Sequence, residues 1–233
     1  MSSPVDRERP RTTLRAMTWL IRFALCLPLL VAGCGSSETP AAAPDDTGAV
    51  HKAFETYTKA ALAKDGATAQ GVLADTVSKY YDDARKLALT ADDDQLTGIP
   101  STQRLTVYVL RAEVEPALLR DGTPADLLKT SFDKGLVGED GIADLALGKV
   151  NVTGDTASAQ AMVGGQEAPY TIDFIREKGV WKVDIAPLMT VADEGFAEAA
   201  KQQGTTVNAM IDGVLVTKYG EEKAAALHRP VAN

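Results

Sequence analysis

Four consecutive short stretches between residues 145 and 185 alternate apolar and polar side chains, and this pattern constrains the fold more than any other part of the sequence. A period of two places every second side chain on one face of a β-strand. The connections between the stretches are too short for crossover helices, so neighbouring strands pair in the antiparallel direction, with one face buried and a bulge at Gly148. The side chains predicted to face the core are Leu145, Leu147, Val150, Val152, Ala157, Ala159, Ala161, Val163, Tyr170, Ile172, Phe174, Trp181, Val183 and Ile185.

Helical patterns flank this strand region on both sides. Apolar residues recur at helical spacing over residues 50–87 and again over residues 188–220. Ser101 is predicted to cap a helix that reaches Glu115 and stops at Pro116, and Thr123 is predicted to cap another. The predicted fold class is α+β, with N-terminal helices packed on a curved antiparallel sheet of about four strands, extra inserted helices and a helical C-terminal tail.

The first 34 residues carry the signature of an export signal. Basic residues precede a ten-residue apolar stretch, residues 23–32, which spans only about half of a bilayer core. This stretch ends in Val31-Ala32-Gly33-Cys34, which resembles the lipobox of bacterial lipoproteins. The resemblance implies a diacylglycerol on the Cys34 sulfur and cleavage between Gly33 and Cys34. Whether translation starts at Met1 or Met17 stays open.

The lipobox sets the expected domain organisation. Residues 1–33 are predicted to be a signal peptide, residues 34–49 a lipidated flexible tether, and residues 50–233 a single α+β domain. We expect the protein to be exported and lipid-anchored to the outer face of the cell membrane, or to the outer membrane if the host has two membranes. The bilayer is then a partner through the acylated Cys34.

Charge and cysteine content exclude several kinds of function. The chain has a net charge of −8, and loss of residues 1–33 would remove five basic and two acidic side chains and leave −11. Such an acidic body is not expected to bind nucleic acid. Of the two cysteines, Cys26 lies in the leader and Cys34 would carry lipid, so the mature domain is predicted to have neither a disulfide nor a cysteine nucleophile.

A second resemblance concerns the folded part of the chain. The segments Val150–Ala157, Phe174–Gly179 and Val180–Asp184, after two leading helices, resemble the nuclear transport factor 2-like superfamily. The resemblance implies a cone, in which a cystatin-like curved sheet wraps around helices. That family includes enzymes, ligand binders and inert domains, so the resemblance implies a fold and no single function.

Few residues are candidates for catalysis or for metal binding. Asp173 and Asp184 alternate with the bulky residues of their strands, so both are predicted to face solvent. His51 and His228 lie near the two ends of the domain and are predicted at the surface. The run Asp92–Asp94 lacks the spacing of a calcium loop and is predicted to be solvated. We therefore predict no catalytic residue, no metal and no cofactor.

Two other features could contact a ligand or partner. Arg104 and Arg111 are seven residues apart on one predicted helix and share a face, where they could bind an anion or a partner or could pair with nearby acids. In the tail, an apolar stripe fits either docking or core packing, and its members are Val207, Ile211, Val214 and Tyr219.

Three functions remain open at this stage. The first is a membrane-anchored envelope lipoprotein whose non-catalytic domain binds a partner protein or assists an envelope complex. The second is a carrier or sensor of a small hydrophobic ligand held in the cone. The third is a lyase or isomerase, which would require an inward carboxylate beside Tyr80, Tyr81 or Tyr108.

Overall fold

The predicted strand region forms one four-stranded antiparallel sheet in which the strands follow one another in sequence order. The computed structural model describes residues 46–136 and 142–231. The sheet is not closed into a barrel because β1 and β4 are not paired with each other, and Val183 of β4 instead makes a single bridge to Leu73. The strands are β1 (Leu145–Thr153), β2 (Thr156–Val163), β3 (Gln166–Glu177) and β4 (Val180–Asp184).

The register of the sheet confirms the predicted inner face. Leu147 lies opposite Ala161 and Val150 lies opposite Ala159, so the register shifts at the predicted bulge around Gly148. The buried residues on this face alternate along each strand, as in Ile172 and Phe174 of β3. Val163 is an exception: it is 44% exposed, because it lies at the end of β2 beyond the helices that cover the sheet.

Seven described helices precede the sheet along the chain. They are α1 (Asp46–Leu62), α2 (Gly66–Val72), α3 (Asp75–Thr90), α4 (Asp93–Thr97), α5 (Ser101–Glu113), α6 (Pro116–Asp121) and α7 (Pro124–Asp133). Three helices follow it, namely α8 (Ala186–Gln202), α9 (Val207–Tyr219) and α10 (Glu221–Leu227). The α+β class with inserted helices and a helical tail is therefore confirmed. None of the helices in the described part of the chain has both the length and the apolar character needed to cross a bilayer.

Three local expectations about the helices need correction. Helix α1 begins at Asp46, inside the predicted tether, where the Asp46 carboxylate accepts a hydrogen bond from Trp181 and pairs with Arg176. Helix α5 ends at Glu113, two residues before the predicted Glu115, and Pro116 begins α6 because its missing N–H is no loss in a first helical turn. The acidic run was predicted to be a solvated loop, but it forms the start of α4. The Asp92 side chain accepts a hydrogen bond from the Gln95 N–H in a capping box, which begins the helix.

The helices divide the interior into two apolar cores. The first lies between the sheet and helices α1, α2 and α7, with Phe54, Tyr57 and Phe174 among its buried members. The second lies on the far side of α3 and joins α4, α5 and α6 to the tail helices, with Leu110 and Ile211 among its members. Helices α3 and α7 each contribute residues to both cores, so these two helices connect them.

Candidate functional site

Helix α3 passes from the first core to the second along its length. Val77 belongs to the first core, whereas Ala84 belongs to the second. Between them lie Tyr80 and Tyr81, whose rings meet edge to face with centroids 5.9 Å apart.

Two adjoining cavities of about 220 Å³ each open beside these rings. They share Tyr81, Thr106, Leu136 and Met189, so we treat them as one site and call it the tyrosine cleft. Its walls come from α3, α5, the end of α7 and the start of α8. The lining residues are Val77, Tyr80, Tyr81, Thr102, Leu105, Thr106, Val109, Leu110, Ser131, Leu136, Ile185, Ala186 and Met189.

The polar atoms of the tyrosine cleft are joined in a short hydrogen-bonded row. The Tyr80 hydroxyl lies 3.0 Å from the Thr106 hydroxyl. The Thr106 hydroxyl donates to the backbone carbonyl of Thr102, 2.9 Å away on the preceding turn of α5. The Thr102 hydroxyl in turn donates to Asp193 Oδ1 at 3.0 Å. This row fixes the side chains on one wall of the cleft.

Asp193 lies outside the cleft and holds its α5 wall in place. Its Oδ1 accepts from the Ser101 hydroxyl at 2.6 Å and from the Thr102 backbone N–H at 2.7 Å. A carboxylate at a helix N-terminus satisfies N–H groups that have no partner within the helix. The prediction that Ser101 caps α5 is therefore wrong: the cap comes from α8, 92 residues later in the chain.

Comparison with known proteins adds nothing to this geometry. No family model, curated protein or solved structure matches the chain. The resemblances to lipoprotein signals and to the nuclear transport factor 2-like superfamily therefore stay predictions. Gly33, Cys34 and the rest of the predicted leader lie outside the described residues, as does the tether as far as residue 45.

Arg104 is placed inside the molecule. The residue is only 3% exposed, and its Nη1 donates to Asn208 Oδ1 on α9 at 2.7 Å. Its Nε has no hydrogen-bond partner among the described residues. Arg104 does not line the tyrosine cleft. The sequence left two roles open for Arg104, contact with an anion or partner at the surface and pairing with a nearby acid. The buried side chain bonded to Asn208 fits neither role.

Arg111 also points into the fold. Its guanidinium donates to the carbonyls of Leu87, Ala88 and Ala91 at the end of α3, and to Leu227 at the end of α10. Burial lowers the pKa of this guanidinium from its ordinary value. The described donors of Arg111 are thus used to join two helix ends, which leaves them unavailable to an external anion.

His228 is the residue that the sequence placed least well. Its imidazole Nδ1 lies 2.5 Å from Asp93 Oδ1, and its Nε2 lies 3.6 Å from Asp212 Oδ1. The Tyr108 hydroxyl donates to the same Asp93 oxygen at 2.9 Å. His228 is therefore a partly buried contact and not the free surface residue that was predicted. The short segment after α10 folds back over α4 and α5, which no local pattern indicates.

This cluster has electrostatic consequences but lies outside the cleft. Burial acts to raise the pKa of Asp93, yet the hydrogen bonds from His228 and Tyr108 hold it below its usual value. Burial, followed by the Asp93 hydrogen bond, raises the pKa of Tyr108. Asp93 is the acid that lies beside Tyr108, but its side chain is 49% exposed. It therefore does not supply the inward carboxylate that a lyase or isomerase would require.

The two strand carboxylates lie away from the cleft as well. Asp173 and Asp184 face each other across β3 and β4, and both are partly exposed. Asp184 Oδ1 accepts from the Thr76 hydroxyl at 2.7 Å and from the Ala186 N–H at 3.1 Å, so it connects α3 and α8 to the sheet. The part of the chain that the structure describes contains no group of three His, Cys, Asp or Glu side chains that could hold a metal ion.

The Tyr81 hydroxyl is expected to make the stability of the folded domain depend on pH. Burial raises the pKa of Tyr81 to about 12 from the ordinary value of 10.0. A raised folded-state pKa means that the folded chain holds this proton more tightly than the unfolded chain. We expect the free energy of unfolding to be highest below pH 10 and to fall as the pH rises from 10 through 12.

Urea unfolding at a series of alkaline pH values tests this expectation. The wild-type chain should lose stability faster over that range than Tyr81→Phe, which has no proton to lose at this position. Equal slopes for the two proteins would contradict the burial of the Tyr81 hydroxyl.

Proposed function

We propose that the chain is an exported bacterial lipoprotein whose folded domain binds a small apolar ligand in the tyrosine cleft. The observation that carries the proposal is the lining of the cleft. Among the described residues that line it, the side chains are aliphatic, aromatic, thioether or hydroxyl-bearing, and none is acidic or basic. Ligand pockets are typically apolar with a few fixed polar groups, and this lining has that composition.

The same lining favours binding over catalysis. General acid–base catalysis needs a group that gains or loses a proton near neutral pH, and covalent catalysis needs an activated nucleophile. The tyrosines of the cleft do the opposite, since burial raises the pKa of Tyr80 and of Tyr81. Their hydroxyls therefore stay neutral at physiological pH. The cleft supports recognition of a ligand better than the lyase or isomerase alternative.

The volume of the cleft sets the size of the ligand. An apolar cavity of about 150 Å³ accommodates a benzene molecule. Each of the two adjoining cavities is about 220 Å³. The cleft is therefore suited to one ring or a short chain, with room for a single polar substituent.

The proposed anchor places this cleft near a membrane. Asp46, where α1 begins, lies twelve positions after Cys34 in the chain. A fully extended chain of that length spans at most about 40 Å. A domain held by two acyl chains on Cys34 would therefore stay within roughly that distance of the bilayer surface. A ligand that partitions into membranes would be concentrated within reach of the cleft.

The anchor is tested by replacing its sulfur. Cys34→Ser is expected to move the protein from the membrane fraction to the soluble fraction, because no thioether can form. Cys26→Ser is the matched control, since Cys26 lies in the segment that would be removed. Fractionation of cells that express each variant measures the effect. Membrane association of Cys34→Ser equal to that of Cys26→Ser would refute the lipid anchor.

The ligand is tested by native mass spectrometry of full-length protein purified from its own membranes. We expect a retained mass on the wild-type protein. Met189→Trp should abolish it, because the larger ring fills the cleft. Val191→Trp lies on the same helix and starts from a side chain that is 39% exposed, so it should keep the retained mass. A mass that survives Met189→Trp would place the ligand elsewhere.

A second candidate function is binding of a partner protein, and one observation favours it. Helix α9 has an open groove of about 620 Å³ on its outer side, lined in part by Ala209, Met210, Gly213 and Val214. Its opposite side is buried through Ile211 and Leu215, so α9 carries apolar residues on its outer side as well as on its buried side. Crosslinking through the outer side of α9 in native cells would identify an envelope partner if this groove is its docking site.

A further inference from the structure

We propose that a groove beside Trp181 binds part of the chain's own N-terminal segment, residues 39–44, and so holds this segment against the folded domain. We call it the Trp181 groove. It has a volume of about 300 Å³ and lies between the first half of α1 and the start of β4. The lining residues are Ala49, Lys52, Ala53, Thr56, Val72, Gly179, Val180 and Trp181.

The apolar surface of the Trp181 groove is not covered by the described part of the chain. Val180 is 55% exposed, more than any other large apolar side chain that the structure describes. Trp181 is only 5% exposed and belongs to the first core, so it forms the floor of the groove. On the α1 side the lining includes the small side chains of Ala49 and Ala53. An occupant with small apolar side chains would remove Val180 from water, which favours docking.

The groove offers few hydrogen-bonding groups to an occupant. The Thr56 hydroxyl donates to the Lys52 carbonyl at 2.8 Å, and Lys52 is the one charged residue of the described lining. A segment in the polyproline II conformation suits such a surface, because its backbone groups need no partners in the groove and stay solvated. Proline also lacks an N–H group that would need an acceptor.

Residues 39–44 have the composition that this surface requires. They read Thr-Pro-Ala-Ala-Ala-Pro, with no charged side chain and with small apolar residues between two prolines. Proline-rich segments favour the polyproline II conformation. The two residues that flank the segment, Glu38 and Asp45, are negative, whereas the charge of Lys52 in the groove is positive. The segment therefore matches the groove in side-chain size, in hydrogen bonding and in charge.

The described chain begins at one end of the groove. Asp46 is the first described residue, and its carboxylate accepts a hydrogen bond from the Trp181 indole N–H at 3.3 Å. The same carboxylate pairs with Arg176 at 2.5 Å. Ala49, the first lining residue of α1, comes only three positions later. The preceding segment is therefore attached directly beside the surface that we propose it covers.

The lengths of segment and groove are compatible. The lining residues of α1 extend from Ala49 to Thr56, which is about 10 Å of helix. Six residues of polyproline II span about 19 Å, so residues 39–44 are long enough to cover the groove. The chain must reverse its direction before α1, and Pro44 followed by Asp45 suits the two central positions of a type I turn.

The size of the groove favours the chain's own segment over a separate protein. Stable contacts between proteins use about 20 residues or more on each side, whereas the lining contains eight described residues. A segment joined to the domain by a short link is present at an effective concentration in the millimolar range. A contact too weak to hold two separate molecules together is therefore sufficient within one chain.

Docking would shorten the reach of the domain. With the anchor proposed above at Cys34, only residues 35–38 would stay free between the sulfur and the docked segment. The largest distance that the chain can span would then fall from about 40 Å to about 18 Å. The docking itself does not depend on the anchor.

Nuclear spin relaxation of the ¹⁵N-labelled full-length chain in detergent micelles tests the docking. The amides of residues 41–43 should show order parameters close to that of the folded domain, about 0.85. Val180→Asp should lower them to less than about 0.6, because the new carboxylate makes the groove polar and opposes the negative flanks of the segment. Val163→Asp is the matched control. Val163 is a 44% exposed valine at the end of β2, so its replacement should leave the order parameters unchanged.

A second pair of variants changes the segment in place of the groove. Ala42→Asp puts a charge in the middle of residues 39–44 and should lower the order parameters of residues 41–43 as Val180→Asp does. Ser36→Asp adds the same charge outside the segment and should have no effect. Both positions precede α1, so this pair decides the question even if Val180→Asp fails to fold.

Three results would overturn the inference. The first is a wild-type chain in which the order parameters of residues 41–43 are already below about 0.6. The second is a set of high values that Ala42→Asp leaves unchanged, because the segment would then be held by something other than this groove. The third is a Val180 signal that shifts on dilution while residues 41–43 stay below 0.6, which would assign the groove to a second copy of the chain. None of these results involves the tyrosine cleft, so the proposed function is tested separately.

Discussion

Gly66→Ala is expected to destabilise the folded domain by about 3 kcal/mol, because there is no space for a methyl group at this position. A Cβ atom there would lie 2.1 Å from the Lys129 carbonyl oxygen and 2.7 Å from Asp133 Oδ1. Both atoms belong to α7, and the Gly66 N–H donates to the same Asp133 oxygen at 2.9 Å. The backbone of α2 must therefore move away from α7 and lose this bond.

The neighbouring glycine of the same helix supplies the control. Gly71 is exposed, and a Cβ atom there would have no atom within 4 Å. Gly71→Ala should be neutral or stabilising by up to about 1 kcal/mol, since alanine is the better helix former. Urea unfolding of the two variants measures the difference. If Gly66→Ala lowered the free energy of unfolding no more than Gly71→Ala does, the close packing of α2 on α7 would be contradicted.

Arg111→Met should cost about 4 kcal/mol, because one guanidinium satisfies four backbone carbonyls at two helix ends. The carbonyls of Leu87 and Ala88 also accept from backbone N–H groups, so Arg111 is their second donor, and its positive charge stabilises both helix ends. Methionine keeps much of the apolar stem but leaves all four oxygens without this donor. The free energy of unfolding of Arg111→Lys should lie between those of the wild type and Arg111→Met, since an ammonium cannot donate in the planar geometry of a guanidinium.

Hydrogen exchange locates the effect, and the unfolding free energy measures its size. Protection of the amides in α10 should fall first, because Arg111 bonds the end of α10 to the end of α3. Arg229→Met is the control, since Arg229 is exposed and only two residues after Leu227. If Arg111→Met were no less stable than Arg229→Met, the four carbonyl contacts would contribute nothing to the fold.

The sequence predicted the sheet well because the pattern that defines a strand depends only on neighbouring residues. A period of two in β2, β3 and β4 decides which side chains face inward without knowledge of the rest of the chain. The bulge at Gly148 and the cap at Thr123 are also local, as each depends on a few neighbouring residues. The start of α1 was wrong for the opposite reason. Asp46 is fixed by Arg176 and Trp181, which are more than a hundred residues away.

The candidate site could not be derived in this way. Tyr80 and Tyr81 were noted only as neighbours that a catalytic acid would need. What makes them a site is the approach of Thr106 on α5 and Met189 on α8. The apolar spacing of a helix predicts which face is buried, but not which other helix covers it. His228 shows the same limit, since its contact with Asp93 joins residues 135 positions apart.

The class of the fold, the acidic charge and the inner face of the sheet could be predicted from the sequence alone. These follow from composition and from periodicities of a few residues. Three-dimensional packing was needed to show where the two cores part, why Gly66 cannot be larger and what Arg111 binds. Each of these depends on distances between elements far apart in the chain, and hydrogen bonds and steric contacts act only over a few ångströms.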